Sequence, residues 1–258
     1  MTTSLLYPSV GFAIGMLVGM TGIGGGSLMT PLLVLVFGIH PSVAVGTDLL
    51  QVSVTKAVGS IVHGFRNTVD WRIVRTLATG SIPSTALTIL LLSRIDLHDA
   101  AVQHTISEVL GVSLICTAIA LLLRNRLIRA SAGWTSGLSM RQQTALTVIS
   151  GVMVGFLVTM TSVGAGALGT TVLIMLYPRI KISRLVGSDI AHAVPLTLLA
   201  GLGHWALGSI DWGLLGSLLS GSVPGIVIGS YLSSRMPDLA LRAILAVTMA
   251  MVGSRMVI

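Results

Sequence analysis

Charge is what this chain lacks most. Only 9% of its 258 residues are Asp, Glu, Lys or Arg, whereas soluble domains carry roughly 25%, so it cannot clothe a water-facing surface. No charged side chain occurs from Leu5 to Ile39 or from Gln142 to Pro178, and further uncharged runs cover Thr76–Ser93, Val109–Leu123, Ile190–Ile210 and Trp212–Ser234. A helix needs about 20 apolar residues to cross a bilayer core, and these runs supply several. Cysteine is nearly absent: Cys116 alone excludes an internal disulfide or a Cys-rich metal site, and its apolar neighbours imply burial in a packed helix. The basic n-region of a cleavable signal is missing from "MTTSLLYPSV", so the whole chain is read as mature. Acidic residues are few as well. The resulting +7 reads as membrane topology rather than nucleic-acid binding.

What is present is a duplication. "GFAIGMLVGMTGIGGGSLMTPLLVLVF" from Gly11 matches "GVMVGFLVTMTSVGAGALGTTVLIMLY" from Gly151 at an offset of 140. After one inserted residue the offset is 141: Gly46-Thr47-Asp48 meets Gly187-Ser188-Asp189, His63 meets His204, Asp70-Trp71 meets Asp211-Trp212, and Gly80-Ser81-Ile82-Pro83 meets Gly221-Ser222-Val223-Pro224. The organisation is therefore a first transmembrane repeat, 1–123, a basic cytoplasmic linker, 124–141, and a second transmembrane repeat, 142–258.

Each repeat reads as one long apolar segment (8–38 and 144–177) followed by three ordinary spans. The segments have just over thirty residues, short of the ~40 that two crossings need but enough for a re-entrant hairpin. If each crosses once, the basic residues split almost evenly between the two sides. If each enters and returns, only Arg94 and Arg255 fall outside and twelve fall inside, Lys56 within a span being excluded. The positive-inside rule favours the second arrangement. It implies an all-α polytopic membrane protein of two inverted-topology repeats, each a re-entrant or broken Gly-rich hairpin plus three transmembrane helices, with both termini outside.

The hairpin tips are the glycine clusters. "GIGGGSLM" lacks the lysine of a phosphate loop and the strand context of a dinucleotide fingerprint, and no Ser/His/Asp or paired-carboxylate set supports an enzyme. Non-helical backbone at bilayer depth is tolerated where it lines a cavity. There, Gly-rich turns and helix N-termini offer N–H groups to an anion. Gly22, Gly24, Gly25, Gly26, Gly164 and Gly166, with hydroxyls of Thr21, Ser27, Thr161 and Ser162, are the expected contacts. Gly11/Gly15/Gly19 and Gly221/Gly225/Gly229, at four-residue spacing, read instead as packing seams.

Polar residues inside spans complete the candidate site. Lys56 is the only Lys or Arg well inside a span, a position that is functional by default because of its cost. Asp48, Gln51, Thr55, Lys56, Gly59 and His63 share one broad helical face, and Asp189, His192, Thr197 and His204 share the repeat-equivalent one. For Asp48 and Asp189 the competing role is helix N-capping at span starts. For His63 and His204, near span ends, it is a bond to a neighbouring carbonyl.

The duplicated "GMTGIGGGSLMTPLL", followed by "GTD" and by His63-Gly64, resembles the TauE/SafE sulfite exporter family over essentially the whole chain. The resemblance implies secondary transport of sulfur-containing anions (sulfite, thiosulfate, or an organosulfonate such as sulfoacetate), with protons as coupling ion, in a bacterial inner membrane. It implies no cofactor, and a homodimer is among the expected partners. Substrate would bind at mid-membrane between the hairpin tips, with Gln51, Lys56, His63, His192 and His204 as polar or proton-accepting contacts. In the second copy, alanines replace a glycine and the serine of the first, so the two halves are expected to contribute unequally. The alternative is an ion channel with a Gly-rich backbone-lined filter, which two unequal copies and a basic cavity residue disfavour.

Overall fold

A computed structural model of the protein describes residues 3–21, 26–64, 69–97, 99–135, 137–164, 166–232 and 238–257, and among these it forms ten α-helices and no strand. In the first half these are α1 (Thr3–Thr21), α2 (Gly26–Leu35), α3 (Pro41–Gly64), α4 (Trp71–Leu92) and α5 (Ala100–Thr135). The second half holds α6 (Met140–Thr161), α7 (Ala167–Leu176), α8 (Ile182–Ala206), α9 (Trp212–Leu232) and α10 (Asp238–Val257). The basic segment after Leu123 is helical through Thr135; its residues do not break a helix, and the next one begins only where Ser139 and Gln142 form a reciprocal capping box.

Each long apolar segment is two helices of unequal length. At 1.5 Å per residue the 22 residues of α6 reach about 33 Å, whereas the 10 of α7 reach about 15 Å. The pair closes into a hairpin: Gln143 Nε2 donates to the Leu176 carbonyl, and the Thr147 and Tyr177 hydroxyls lie 2.9 Å apart. The end of α7 thus returns to the level at which α6 began. At the tip, Ser162 adopts a left-handed φ of 58°, and Gly164 and Gly166 have φ of 109° and 121°, values open to glycine without strain.

Small residues interlock the halves. α1 packs along α9 and α4 along α6, and the contacts match through the repeat. A Cβ on Gly11 would reach the Leu218 carbonyl as one on Gly151 would reach that of Leu77; Gly15 and Ser222 are matched by Gly155 and Ser81, and Gly221 and Pro8 by Gly80 and Val148. The spaced glycines are packing seams, as their spacing implied, because bare backbone lets the helices approach this closely. In the centre, α3 and α8 run antiparallel, with Leu50 against Gly201 and Gly46 against His204.

The outside is apolar. Leu87, Leu90 and Leu91 on α4, Ile149, Met153 and Phe156 on α6, and Val247 and Met251 on α10 are all exposed. Among the described residues five helices, Trp71–Leu92, Ala100–Ser131, Met140–Thr161, Ile182–Ala206 and Trp212–Gly229, are long and apolar enough to cross a membrane. Cys116 belongs to this outer face, exposed on α5. The expected burial fails because a helix apolar all round conceals which side meets lipid.

At Gly225 a Cβ would collide with the Phe12 carbonyl of α1, whereas at Gly216 nothing lies within 4 Å. Gly225→Leu is therefore expected to destabilise by about 1–3 kcal/mol through overpacking, seen as a lowered unfolding temperature of detergent-purified protein. Gly216→Ala should stay within about 0.5 kcal/mol.

Candidate functional site

The middle of α3 is polar and yet sealed. Thr47, Asp48, Gln51, Ser53, Thr55 and Lys56 are each no more than 5% exposed. The Lys56 ammonium interacts electrostatically with Asp189 of α8 and with Asp48 of its own helix.

Both carboxylates are clamped by a half-helix. Thr30 Oγ1 of α2 donates to Asp48 Oδ2 at 2.6 Å, and Thr170 Oγ1 of α7 donates to Asp189 Oδ2 at 2.9 Å. These bonds are repeat equivalents, as are those from Asp70 N to Ser188 Oγ (2.7 Å) and from Asp211 N to Thr47 Oγ1 (3.1 Å). Asp48 and Asp189 are therefore not helix caps. Their helices start at Pro41 and Ile182, a further seven residues upstream, because the chain enters each span earlier than the apolar pattern indicated. Each carboxylate lies against the beginning of a half-helix, where the partial positive end of the helix dipole favours it. Asp70 does cap α4, accepting from Arg72 N at 3.1 Å.

The two halves differ in how their polar atoms are satisfied. His192 Nε2 shares a 2.7 Å hydrogen bond with Ser81 Oγ. The repeat equivalents of those residues are Gln51 and Ser222, and there Gln51 Oε1 and Ser222 Oγ have no hydrogen-bond partner among the described residues. The same holds for Asp48 Oδ1 and for Ser162 Oγ, which approaches Asp48 without hydrogen-bond geometry. Buried polar atoms left open cost roughly 1–3 kcal/mol each, and such groups are where water or a ligand belongs.

Of the residues expected from the sequence, Lys56, Ser162 and His192 converge here, Ser162 beside Asp48 and His192 within electrostatic reach of Lys56, while Gln51 is buried on the same helix as Lys56. His204 does not join them: its Nε2–H donates to the Thr159 carbonyl at 3.0 Å, the carbonyl-binding role the sequence left open. Thr161 Oγ1 is occupied within the tip, donating to Leu157 O and accepting from Val163 N. Gly164 and Gly166 shape the turn, and Gly26 opens α2. Gly22, Gly24 and Gly25, and the side chains of Thr21, Ser27 and His63, lie outside the described residues. Sequence reasoning passed over Thr30, Thr170 and Ser81, although Thr30 and Thr170 recur at the repeat offset, as do the carboxylates they hold.

A multi-pass helical bundle with broken helices and a sealed polar centre is the build of a membrane transporter. The chain belongs to the TauE/SafE sulfite exporter family, whose model matches residues 7–256. It is 40% identical over 213 residues to the probable membrane transporter protein YjnA of Bacillus subtilis, covering 81% of this chain and 82% of that one. With the probable membrane transporter protein MJ0441 of Methanocaldococcus jannaschii the identity is 27% over 199 residues, 75% of this chain and 68% of the relative. No solved structure matches.

Removing one clamp tests the site's internal order. Thr170→Val is expected to cost about 1–3 kcal/mol, since a buried carboxylate oxygen loses its donor, and Thr170→Ser should restore most of it. Thermal unfolding in detergent reads both.

Proposed function

We propose that this protein is a secondary transporter that exports small sulfur-containing anions such as sulfite, thiosulfate or an organosulfonate across a bacterial inner membrane. Its two repeats lie inverted, with both termini outside, and access alternates as one repeat rocks against the other. The antiparallel meeting of α3 and α8 and the matched seams of α1 with α9 and α4 with α6 support the inversion.

One observation carries the reading: the buried Lys56 interacts electrostatically with Asp48 and Asp189, and the Ser162 hydroxyl beside Asp48 has no hydrogen-bond partner among the described residues. An anion entering there gains the ammonium and the Ser162 hydroxyl. It also meets two carboxylates, which at full ionisation outnumber the lysine. Protons on Asp48 and Asp189 remove that repulsion, so anion and proton bind together. Asp48 and Asp189 thus take the proton-accepting role that the sequence assigned to histidines.

Lys56→Ala should abolish thiosulfate binding at the centre, read as loss of thiosulfate-dependent protection of the middle of α3 and α8 in detergent-purified protein that still unfolds cooperatively; unchanged protection there would sink the role of Lys56. Thiosulfate stays a dianion across mild acid, so its binding isolates titration of the protein. Affinity is expected to rise as pH falls, because protonation neutralises the carboxylates. In Asp48→Asn/Asp189→Asn that pH dependence should flatten, as calorimetric titration at several pH values will show.

A further inference from the structure

At the foot of the α6–α7 hairpin, away from Lys56, a cavity of about 290 Å³ opens between α4, the end of α5, the start of α6 and the turn after α7. Its polar lining includes Arg72, Arg179, Asp70, Gln143 and Tyr177. The protons of these groups are largely committed. Asp70 pairs with Arg184 at 3.5 Å, Gln143 Nε2 donates to Leu176 O, and the lining threonines Thr76, Thr135 and Thr144 donate to carbonyls of their own helices. What remains is the Arg72 and Arg179 guanidiniums, neither of which has a side-chain partner among the described residues. A cavity whose free donors are two guanidiniums recognises an anion, because guanidinium geometry matches a planar pair of oxyanion oxygens.

Basic residues on one face follow from membrane topology alone. Two of them lining one cavity do not. The repeat supplies an internal control: the equivalent of Arg72 is Gly213, that of Arg184 is Val43, and positions 38 and 39, opposite Arg179, are Gly38 and Ile39. Asp70 and Asp211 are kept in both halves, so the scaffold is shared while the charge belongs to one face. Arg75 and Arg141, exposed nearby on α4 and α6, strengthen the same positive field.

We infer that this cavity is a second binding site, for a small oxyanion free in the aqueous phase, which collects the anion at one membrane face before it reaches Lys56. The inference rests on the anion reading above and adds a direction to it: the face is the one the charge count places in the cytoplasm, as export requires. Its inner corner is close to the central site, since Asp70 N is held by Ser188, the neighbour of Asp189.

Hydrogen–deuterium exchange of the detergent-purified full chain with thiosulfate tests it, following peptides that cover 135–144 and 176–181. Wild type and Lys56→Ala should both gain protection there. In Arg72→Gln/Arg179→Gln the half-saturating concentration should rise at least about tenfold at low ionic strength, with the difference shrinking as salt screens it. Arg72→Lys/Arg179→Lys should recover part of the effect. Protection that survives the double glutamine variant, or none in folded wild type, overturns the site. Loss of protection in Lys56→Ala overturns its independence from the centre. A lipid phosphate is the other source of the same chemistry. Protection by phosphatidylglycerol nanodiscs, absent in phosphatidylcholine and not increased by thiosulfate, would overturn the solute site. Failure of the central anion reading shows separately, as unchanged thiosulfate binding at the centre of Lys56→Ala.

Discussion

A charge sealed in a low-dielectric interior must be answered, and the centre of this protein is built around that demand. Lys56 is 3% exposed, with Asp189 and Asp48 as its electrostatic partners. Removing one member of such a group leaves an uncompensated buried charge at a cost of about 3–5 kcal/mol. Each carboxylate is in turn tied to a half-helix through Thr30 or Thr170. The ion cluster therefore fixes where the broken hairpins dock. Lys56 is thus joined to both hairpins through one carboxylate and one hydrogen bond each.

Around this centre the packing is close enough to move as blocks. Glycines on α1, α4, α6 and α9 meet the carbonyls of the facing helix, and a single added carbon would collide. Helices in lipid gain little from the hydrophobic effect and associate through such close contact. Each seam joins a hairpin of one repeat to a span of the other. The two repeats are thus interleaved rather than set side by side, and α3 and α8 also meet closely, Gly201 against Leu50.

The two halves share a scaffold but not a chemistry. Where the second repeat has His192 bonded to Ser81, the first has Gln51 with an open oxygen. Where the foot of the α6–α7 hairpin has Arg72 and Arg184 nearby, the repeat-equivalent positions are the neutral Gly213 and Val43. These substitutions are where the two ends of the molecule cease to be equivalent.

The amino-acid sequence alone established the membrane class, the duplication and the family resemblance, because each depends on composition or spacing, and it singled out Lys56 by the cost of one charge in lipid. The glycine seams were legible for the same reason: four-residue spacing places them on one helix face. What Asp48 and Asp189 do was not legible. Near a span start a carboxylate and a capping residue look alike, and only the docking of α2 and α7 shows which donors reach them. Cys116 was misplaced because a uniformly apolar helix carries no sign of its lipid side. Tertiary structure alone separated His192, brought to Lys56, from His204, turned to a carbonyl. The two histidines lie on one face of one helix, and what surrounds each depends on segments more than thirty residues away in the chain.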